Sequence, residues 1–372
     1  MTAPVFDYLR EHAFKKVVLV NDTATGLRGV IAIHSTALGP ATGGLRMWTY
    51  ADESDAIFDA LRLARGMTYK YAAAGIDLGG GKAVIIGDPK KDKSEALMRA
   101  MGRMIDQLGG EYITGEDVGT TLTDMETIYT ETEHVVTLPE HCGGAGDISP
   151  STALGSVQAM RACAERVWGN LDLAGRTVAL QGLGMVGSKA LALLVEAGAR
   201  VTVTDIDPDR VAWAVQEHGV EAVEPDAIFE VDAEIFAPYA LGAVIDDDTV
   251  GVLKAKVVAG AANNVLADDR HGEDLIARGI VYAVDYVANS GGTIFDTDRY
   301  RKGGFNPERA RANVLRIFDR TKEVFAIADR EGIPYHRAAD RLAEQRIEAL
   351  SAVRLLDRPD TVHLTPASTR RS

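Results

Sequence analysis

Two periods of apolar and polar positions alternate along the chain, and each change of period marks an element. The runs VVLVN at 17–21 and RGVIAIH at 28–34 are short, apolar and β-branched. With Asp22 to Gly26 supplying turn residues between them, they read as two strands opening a first domain. From Asp52 to Arg65 the period lengthens to that of a helix, with Ile57, Ala60, Leu61 and Ala64 on one face and Asp52 or Ser54 as N-cap. The continuous run AVIIG at 83–87 predicts a buried strand. A helix follows over Ser94 to Leu108, with Leu97, Met101, Ile105 and Leu108 on its apolar face, and Gly109 ends it. A short strand signal then leads to Asp117 within YITGEDVGT. Between 138 and 149 the stretch LPEHCGGAGDIS loses all periodicity, which marks a linker between two domains.

After a helix over Ser151–Trp168 comes RTVALQGLGMVGSKALALLVEAGARVTVTD, which reads as strand, glycine turn, amphipathic helix, second strand and a terminal Asp205. Gly182, Gly184 and Gly187 stand at the GxGxxG spacing of a dinucleotide fold, with Leu183, Met185 and Val186 between and beside them. The first glycine permits the turn, the second lets backbone approach a pyrophosphate, and the third lets the helix pack on the strand. Asp205, about 20 residues on, suits the adenine ribose hydroxyls and repels a 2′-phosphate, which favours NAD over NADP. Short strands at 234–237, 256–259 and 280–283 continue the alternation, so the second half is a mostly parallel, doubly wound sheet. The loops after them carry Ala240, Asn263, Asn264 and Asn289, where a nicotinamide or substrate is met at the carboxyl ends of such strands. Two long helices follow from Asn306-Pro307, broken from each other by Gly332 and Pro334.

Chemistry concentrates in Gly66 to Lys82, GMTYKYAAAGIDLGGGK, where Lys70 and Lys82 sit among small and apolar residues. Such a setting shifts a lysine pKa readily. A phosphate-binding loop is excluded, because Ile76 and Ala83 stand where GxxxxGK[ST] needs Gly and Ser or Thr. Taken alone, GGGK is also compatible with a surface turn carrying a solvated lysine.

Composition narrows the class. The chain of 372 residues is long enough for two cores, and 46% hydrophobic with 25% charged residues describes an ordinary soluble globular protein. Fifty-four acidic against 40 basic residues give a net charge of -14, which argues against nonspecific attraction to nucleic acid or anionic membrane. Cys142 and Cys163 are the only cysteines, which points to reduced thiols in a cytoplasmic protein. His141-Cys142 has no partner at zinc-like spacing, so no metal is expected. Neither a signal-peptide core nor an apolar run approaching ~18 residues is present.

The chain resembles the amino acid dehydrogenases that act on leucine, valine, phenylalanine and glutamate, the branched-chain members above all. The resemblance is carried by GPATGGLRM at 39–47, GMTYK at 66–70, DLGGGKAVIIGDP at 77–89, EDVGT at 116–120, QGLGMVG at 181–187, AGAANN at 259–264 and NSGG at 289–292. It implies a two-domain α/β fold: a substrate domain over 1–137, a hinge at 138–149 and a Rossmann-type NAD domain over 150–305. C-terminal helices over 306–356 return to the first domain, and a mobile tail spans 357–372. It implies NAD-dependent oxidative deamination of an L-amino acid, a branched-chain or related one first of all, to a 2-oxo acid and ammonia, run reversibly by a homo-oligomer between dimer and octamer. By motif, Lys70 would hold the substrate carboxylate, Lys82 would be the neutral base that activates water, with Lys70 helping to depress its pKa, and Asp117 would move protons at the substrate amine. Gly43 and Gly44 would allow close approach, Asn264 would position substrate, Thr152 would meet the nicotinamide carboxamide, and Asn263 and Arg46 would touch the cofactor.

Departures from the family pattern fall at Thr42, at Ser290, Thr293 and Asp296 in NSGGTIFDTD, and at Tyr239 and Ala243 in APYALGA, where APCALGG is usual. Thr42, Thr293 and Asp296 would make the side-chain pocket more polar and favour an aromatic, hydroxyl-bearing or cationic substrate. A non-catalytic NAD-binding regulator and a hydroxy-acid oxidoreductase are the competing readings.

Overall fold

The computed structural model describes residues 4–354, which fall into two compact α/β units. The expected tail at 357–372 lies outside the described residues. No helix among them is long and apolar enough to cross a membrane.

Unit 1 comprises the chain up to Gly146, Asp296–Asn306 and the stretch from Ala343. Its elements run α1 (Val5–Glu11), β1 (Lys16–Asp22), β2 (Leu27–Ser35), β3 (Ala41–Trp48), α2 (Glu53–Ala73), β4 (Gly79–Ile86), α3 (Glu95–Asp106), β5 (Tyr112–Glu116) and α4 (Leu122–Tyr129). The strands form one mixed sheet in the order β1-β2-β4-β3-β5, with β3 parallel to both β4 and β5 and the β1-β2-β4 ladders antiparallel. Because side chains alternate across a strand, each strand serves two cores. Ile31, Ile33, Leu45, Met47, Ala83 and Ile85 face α3 and α4, meeting Leu97, Met101, Ile105, Met125 and Ile128. Val30, Ala32 and Val84 face α2, meeting Ala56, Ala60, Leu61 and Ala64.

Three features differ from the expected elements. The Asp52 carboxylate caps α2 by accepting from the Asp55 amide at 3.0 Å, as expected, but the helix runs on to Ala73 because Tyr71, Ala72 and Ala73 continue its buried face. Lys70 therefore stands in its last turn. The glycines of GGGK are no surface turn: they are the first half of β4, and all three are buried. GPATGGLRM, which carries no strand signal because of its glycines, forms most of the interior strand β3.

Unit 2 spans Asp147–Phe295 and Pro307–Leu342. It contains α5 (Ser149–Trp168), β6 (Thr177–Gln181), α6 (Met185–Glu196), β7 (Arg200–Thr204), α7 (Pro208–His218), β8 (Glu221–Ala222), β9 (Ile235–Pro238), β10 (Val257–Val258) and β11 (Val281–Tyr282). All strands are parallel, in the order β11-β10-β9-β6-β7-β8. This is a doubly wound Rossmann-type sheet, and its order reverses between β6 and β9, where such sheets open a ligand crevice.

The C-terminal helices depart from expectation. Pro307–Leu315 and Ile317–Glu331 belong to unit 2 rather than returning to unit 1. There Ile317 meets Gly155 of α5 and Arg166 of α5 pairs with Asp329 at 2.6 Å. The last helix, Tyr335–Arg354, contributes to unit 1 only from Ala343, where Arg346 donates to the Ile76 carbonyl at 2.9 Å and pairs with Asp77 at 2.6 Å. Asp296–Asn306, placed with the second domain by its sequence, is instead part of unit 1. The Thr137 amide and hydroxyl each donate to the Asp296 carboxylate at 2.9 Å, and the Tyr300 hydroxyl donates to the Glu133 and Val135 carbonyls at 3.1 Å.

Asp296 is 4% exposed, and burial pushes its carboxyl up to about 6, against the opposing effect of the Thr137 bonds. A folded-state pKa above the unfolded value means that the native protein holds this proton longer. Stability is thus fully present below pH ~4 and lost as pH rises through ~6, by at most on the order of 3 kcal/mol. Asp296→Asn keeps an acceptor for the Thr137 amide and has no proton to lose. Urea unfolding at pH 4.5 and pH 7, both about as chosen from that window, is expected to show a smaller pH difference for the variant than for the parent. An equal difference in both proteins overturns the assignment.

Candidate active site

Lys82 lies on β4 with the same parity as Val84, so its side chain points to the α2 face of the sheet. Gly44 and Arg46 of β3 share that face, and Asp117 follows the end of β5. A Cβ on Gly44 would sit 2.7 Å from the Asp117 Cβ, so the glycine is what leaves room for the carboxylate above β3. A Cβ on Gly43 would run into the Gly81 carbonyl oxygen, while the Tyr112 hydroxyl donates to the Gly43 carbonyl at 2.6 Å. The two glycines thus bring β3 close to its neighbours.

The Lys82 ammonium meets Asp117 Oδ2 at 2.7 Å. Arg46 donates from Nε to the same oxygen at 3.0 Å and from Nη1 to Asp59 Oδ2 at 2.8 Å, and the Tyr50 hydroxyl donates to that Asp59 oxygen at 2.7 Å. Lys82 is only 5% exposed. Burial drives its pKa below the ordinary lysine value, with Asp117 pulling it back and Arg46 adding to the depression. Arg46 is thus a cation that helps to depress the lysine. Burial pushes the Asp117 carboxyl up, but the charge and hydrogen bond of Lys82, with Arg46, outweigh it and hold Asp117 below the usual carboxylate range. A depressed amine beside a carboxylate that stays ionised is an arrangement for moving protons. Lys70, half-buried, stands two residues beyond Thr68, against which Gly80 of β4 packs.

Arg46, expected at the cofactor, is built into this carboxylate network. Asp59 and Tyr50 were not singled out from the sequence. The apolar stripe of α2 leaves Asp59 on its polar side, and only the fold shows that this side borders Arg46.

In unit 2, Gly182 has φ 98°, a conformation that favours glycine. A Cβ on Gly187 would strike the Gly182 carbonyl oxygen and lie 3.1 Å from the Tyr239 Cβ. Gly184 caps α6 with no side chain on the first amides, and Met185 opens the helix with its side chain largely exposed, while Leu183 is buried. These amides are free of side-chain caps, which suits phosphate oxygens. The Asp205 carboxylate accepts from the Leu183 amide at 2.6 Å and the Asp207 amide at 2.9 Å, which ties the end of β7 to the glycine turn. Arg210 stands 3.2 Å from Asp207 and 3.9 Å from Asp205.

The Ala240 amide nitrogen lies against Gly182, where an added Cβ would be 2.8 Å away. Asn289, 5% exposed, donates to Asn263 Oδ1 at 2.7 Å and leaves its own Oδ1 buried without a protein partner, as does Gln181 with its Oε1. Two orphaned acceptors at the strand ends, a glycine cradle and an uncapped helix N-terminus fit a dinucleotide. Thr152 donates to the Ile148 carbonyl at 3.2 Å and packs on Gly292, and Asn264 adopts φ 52°, its carbonyl accepting from the Ala243 amide at 2.6 Å. Tyr239, where the family has cysteine, exchanges a hydrogen bond with Ser156 of α5 at 2.8 Å.

The polar departures from the family pattern have internal partners. Thr42 donates to the Pro40 carbonyl at 3.3 Å, Ser290 to the Val287 carbonyl at 2.7 Å, and both Asp296 oxygens accept from Thr137. Thr293 is half-buried on the helix Gly291–Thr297.

Known proteins match this frame. Residues 12–134 match the family model described as Glu/Leu/Phe/Val dehydrogenase, dimerisation domain, and residues 206–348 match that of Glutamate/Leucine/Phenylalanine/Valine dehydrogenase. The leucine dehydrogenase of Thermoactinomyces intermedius is 52% identical over 350 residues, covering 94% of this chain and 95% of that protein. The valine dehydrogenase of Streptomyces coelicolor is 49% identical over 336 residues, covering 90% and 92% respectively. Among solved structures, the L-tryptophan dehydrogenase of Nostoc punctiforme superposes with a TM-score of 0.83 at 39% identity, over 93% of this chain and 99% of that one.

The geometry at Gly187 generates a test that needs no substrate. Gly187→Ala places a methyl group against backbone that has nowhere to move, and dinucleotide affinity, read by fluorescence titration, is expected to fall tenfold or more, about 1.4 kcal/mol. Unchanged affinity would mean that the turn is not the phosphate cradle.

Proposed function

Because the chain belongs to the Glu/Leu/Phe/Val dehydrogenase family, we propose that it oxidatively deaminates an aliphatic L-amino acid to its 2-oxo acid and ammonia, reversibly, with NAD as hydride acceptor. The observation that carries the reading is the buried Lys82–Asp117 pair, an amine of depressed pKa 2.7 Å from an ionised carboxylate.

Residues of unit 2 would hold the cofactor: the Gly182–Gly187 turn at the pyrophosphate, Asp205 at the adenine ribose, and Thr152, Asn263 and Asn289 at the nicotinamide end. When bound, the cofactor would supply a hydride acceptor for the substrate Cα. The chain's own groups do the rest. The Lys70 ammonium holds the substrate carboxylate, a charge-assisted contact. Asp117 accepts a proton from the substrate ammonium, so that the nitrogen lone pair is available as Cα loses its hydride. Neutral Lys82 then takes a proton from water as the oxygen attacks the iminium carbon, returns that proton to nitrogen, and takes the proton of the new hydroxyl as the C–N bond breaks and the carbonyl forms with release of ammonia. Arg46 keeps Asp117 in place and ionised.

Three of the polar positions that distinguish this chain are engaged internally, Thr42 by Pro40, Ser290 by Val287 and Asp296 by Thr137. This supports an aliphatic side chain over a hydroxyl-bearing or cationic one, in line with relatives named leucine and valine dehydrogenase. For the cofactor, the side chain of Asp205 is 7% exposed and would lie against a 2′-phosphate, while Arg210 is already turned to Asp207. The matching model's description as a dimerisation domain supports a homo-oligomer.

Formation of NADH with leucine, valine, phenylalanine, threonine and lysine tests the substrate reading. An optimum at leucine or valine is expected, with NAD favoured over NADP by about tenfold or more; a threonine or lysine optimum, or an NADP preference, sinks the corresponding claim. Lys82→Ala should cost roughly 10²–10⁴ in kcat. The pH profile separates the neighbours of Lys82 by sign. The lysine must be neutral to act, so kcat/KM rises with pH through its ionisation. Asp117→Asn removes a group that raises the lysine pKa and moves this limb to lower pH, whereas Arg46→Met removes one that lowers it and moves the limb to higher pH. Movement of both in one direction contradicts the assignment.

A further inference from the structure

Outside the groups given a part in the reaction, one cluster of unlike donor atoms has no assigned role. The Glu126 carboxylate, on the outer side of α4, meets His141 Nε2 at 2.8 Å, and Cys142 Sγ lies 3.9 Å from the same Oε1. All three donor atoms lie within 4.8 Å of one another. The sequence hides this set, because the carboxylate lies 15 residues before the histidine on a separate element.

We propose that Glu126, His141 and Cys142 bind a divalent cation of the zinc type on the surface of unit 1. Tetrahedral zinc with bonds of about 2.0–2.3 Å holds its ligand atoms roughly 3.3–3.7 Å apart. The nitrogen and oxygen must open slightly and the sulfur close slightly, which are side-chain rotations. The backbone needs no rearrangement. His141 and Cys142 sit on the single turn Glu140–Cys142, fixed by the Cys142 amide on the Pro139 carbonyl at 3.0 Å and closed by Gly143 at φ 73°. Glu126 is held by α4, whose N-terminus carries a capping box between Thr121 and Asp124. Cys142 packs on the core beneath, whereas the His141 side chain is 67% exposed, so a fourth position is open to water.

The donor types select the cation. A thiolate, an imidazole and a carboxylate suit Zn²⁺ or Co²⁺, whereas Mg²⁺ and Ca²⁺ take oxygen donors. The alternative is a histidine–glutamate hydrogen bond with a bystander thiol. That accounts for the 2.8 Å contact and leaves the sulfur only a weak S–H donation at 3.9 Å, so the two readings differ in whether the thiol is a donor or a metal ligand. Arg299 acts on Cys142 electrostatically and opposes a cation, while the Glu126 charge favours one.

Titration of the full-length, metal-free protein with Co²⁺ decides between them. One equivalent per chain is expected to produce the near-ultraviolet thiolate charge-transfer band, and Zn²⁺ to displace it. Cys142→Ser should abolish the band and Cys163→Ala retain it. His141→Ala and Glu126→Gln, both at side chains partly in solvent, should each weaken Co²⁺ binding at least tenfold, with circular dichroism and metal-free activity unchanged. The proposal is overturned if no band forms at one equivalent, if the band survives in Cys142→Ser, or if neither His141→Ala nor Glu126→Gln weakens binding.

Discussion

A lysine amine and an aspartate carboxylate held 2.7 Å apart, with the lysine almost wholly removed from water, are the contact on which unit 1 is arranged. Taking each charge out of water costs several kcal/mol, and the attraction repays this only when the geometry is good and the remaining lone pairs are satisfied. The chain meets both conditions through backbone. Gly44 leaves the space above β3 in which Asp117 sits, just past the end of β5, and parity on β3 and β4 delivers Arg46 and Lys82 to the same face. Arg46 and Tyr50 then complete the hydrogen bonds of Asp117 and Asp59. Glycines that weaken β3 and β4 as strands are thus required by what those strands carry, and pairing of β3 on both edges offsets the weakness.

Unit 2 solves a related problem with the opposite sign. For the phosphates of the proposed cofactor it offers the uncapped amides of α6, with the Arg210 guanidinium near Gly184. The close approach of β6 and α6 is set by Gly187 on Gly182, and Tyr239 fills the remaining space, anchored through its hydroxyl to Ser156. The tyrosine that replaces the family's cysteine is therefore a larger side chain made tolerable by a buried hydroxyl partner on α5.

Much of this was legible in the sequence, and the exceptions have physical causes. Strong periodicity gave β1, β2, α3, and the strand–glycine–helix unit of β6 and α6, because local apolar pattern and long-range burial agree there. The interior strand β3 was illegible, since its glycines answer to neighbouring backbone and to Asp117 rather than to strand propensity. Arg46 was assigned to the cofactor, although it holds two carboxylates, one of which comes from a helix 13 residues away. Asp296 was read as a pocket residue because a buried carboxylate and a pocket carboxylate look alike until Thr137, 159 residues earlier, is seen to satisfy both oxygens. What the sequence could not supply in each case is the tertiary partner of a polar group.

Charge balance in the Lys82 cluster bears on when the lysine becomes a base. With Lys82 protonated, three cations, Lys82, Arg46 and Arg62, face two anions, Asp117 and Asp59. Loss of the lysine proton leaves Arg46 and the largely exposed Arg62 against the two carboxylates and takes from Asp117 its nearest cation. On the proposed mechanism a substrate ammonium brought to Asp117 would compete with Lys82 for the same carboxylate oxygen. Because Asp117 is the group that holds the lysine pKa up, weakening that contact releases the depression that burial and Arg46 impose. On this reasoning the amine turns basic when substrate is present, and the ion pair at rest is the form in which the site waits.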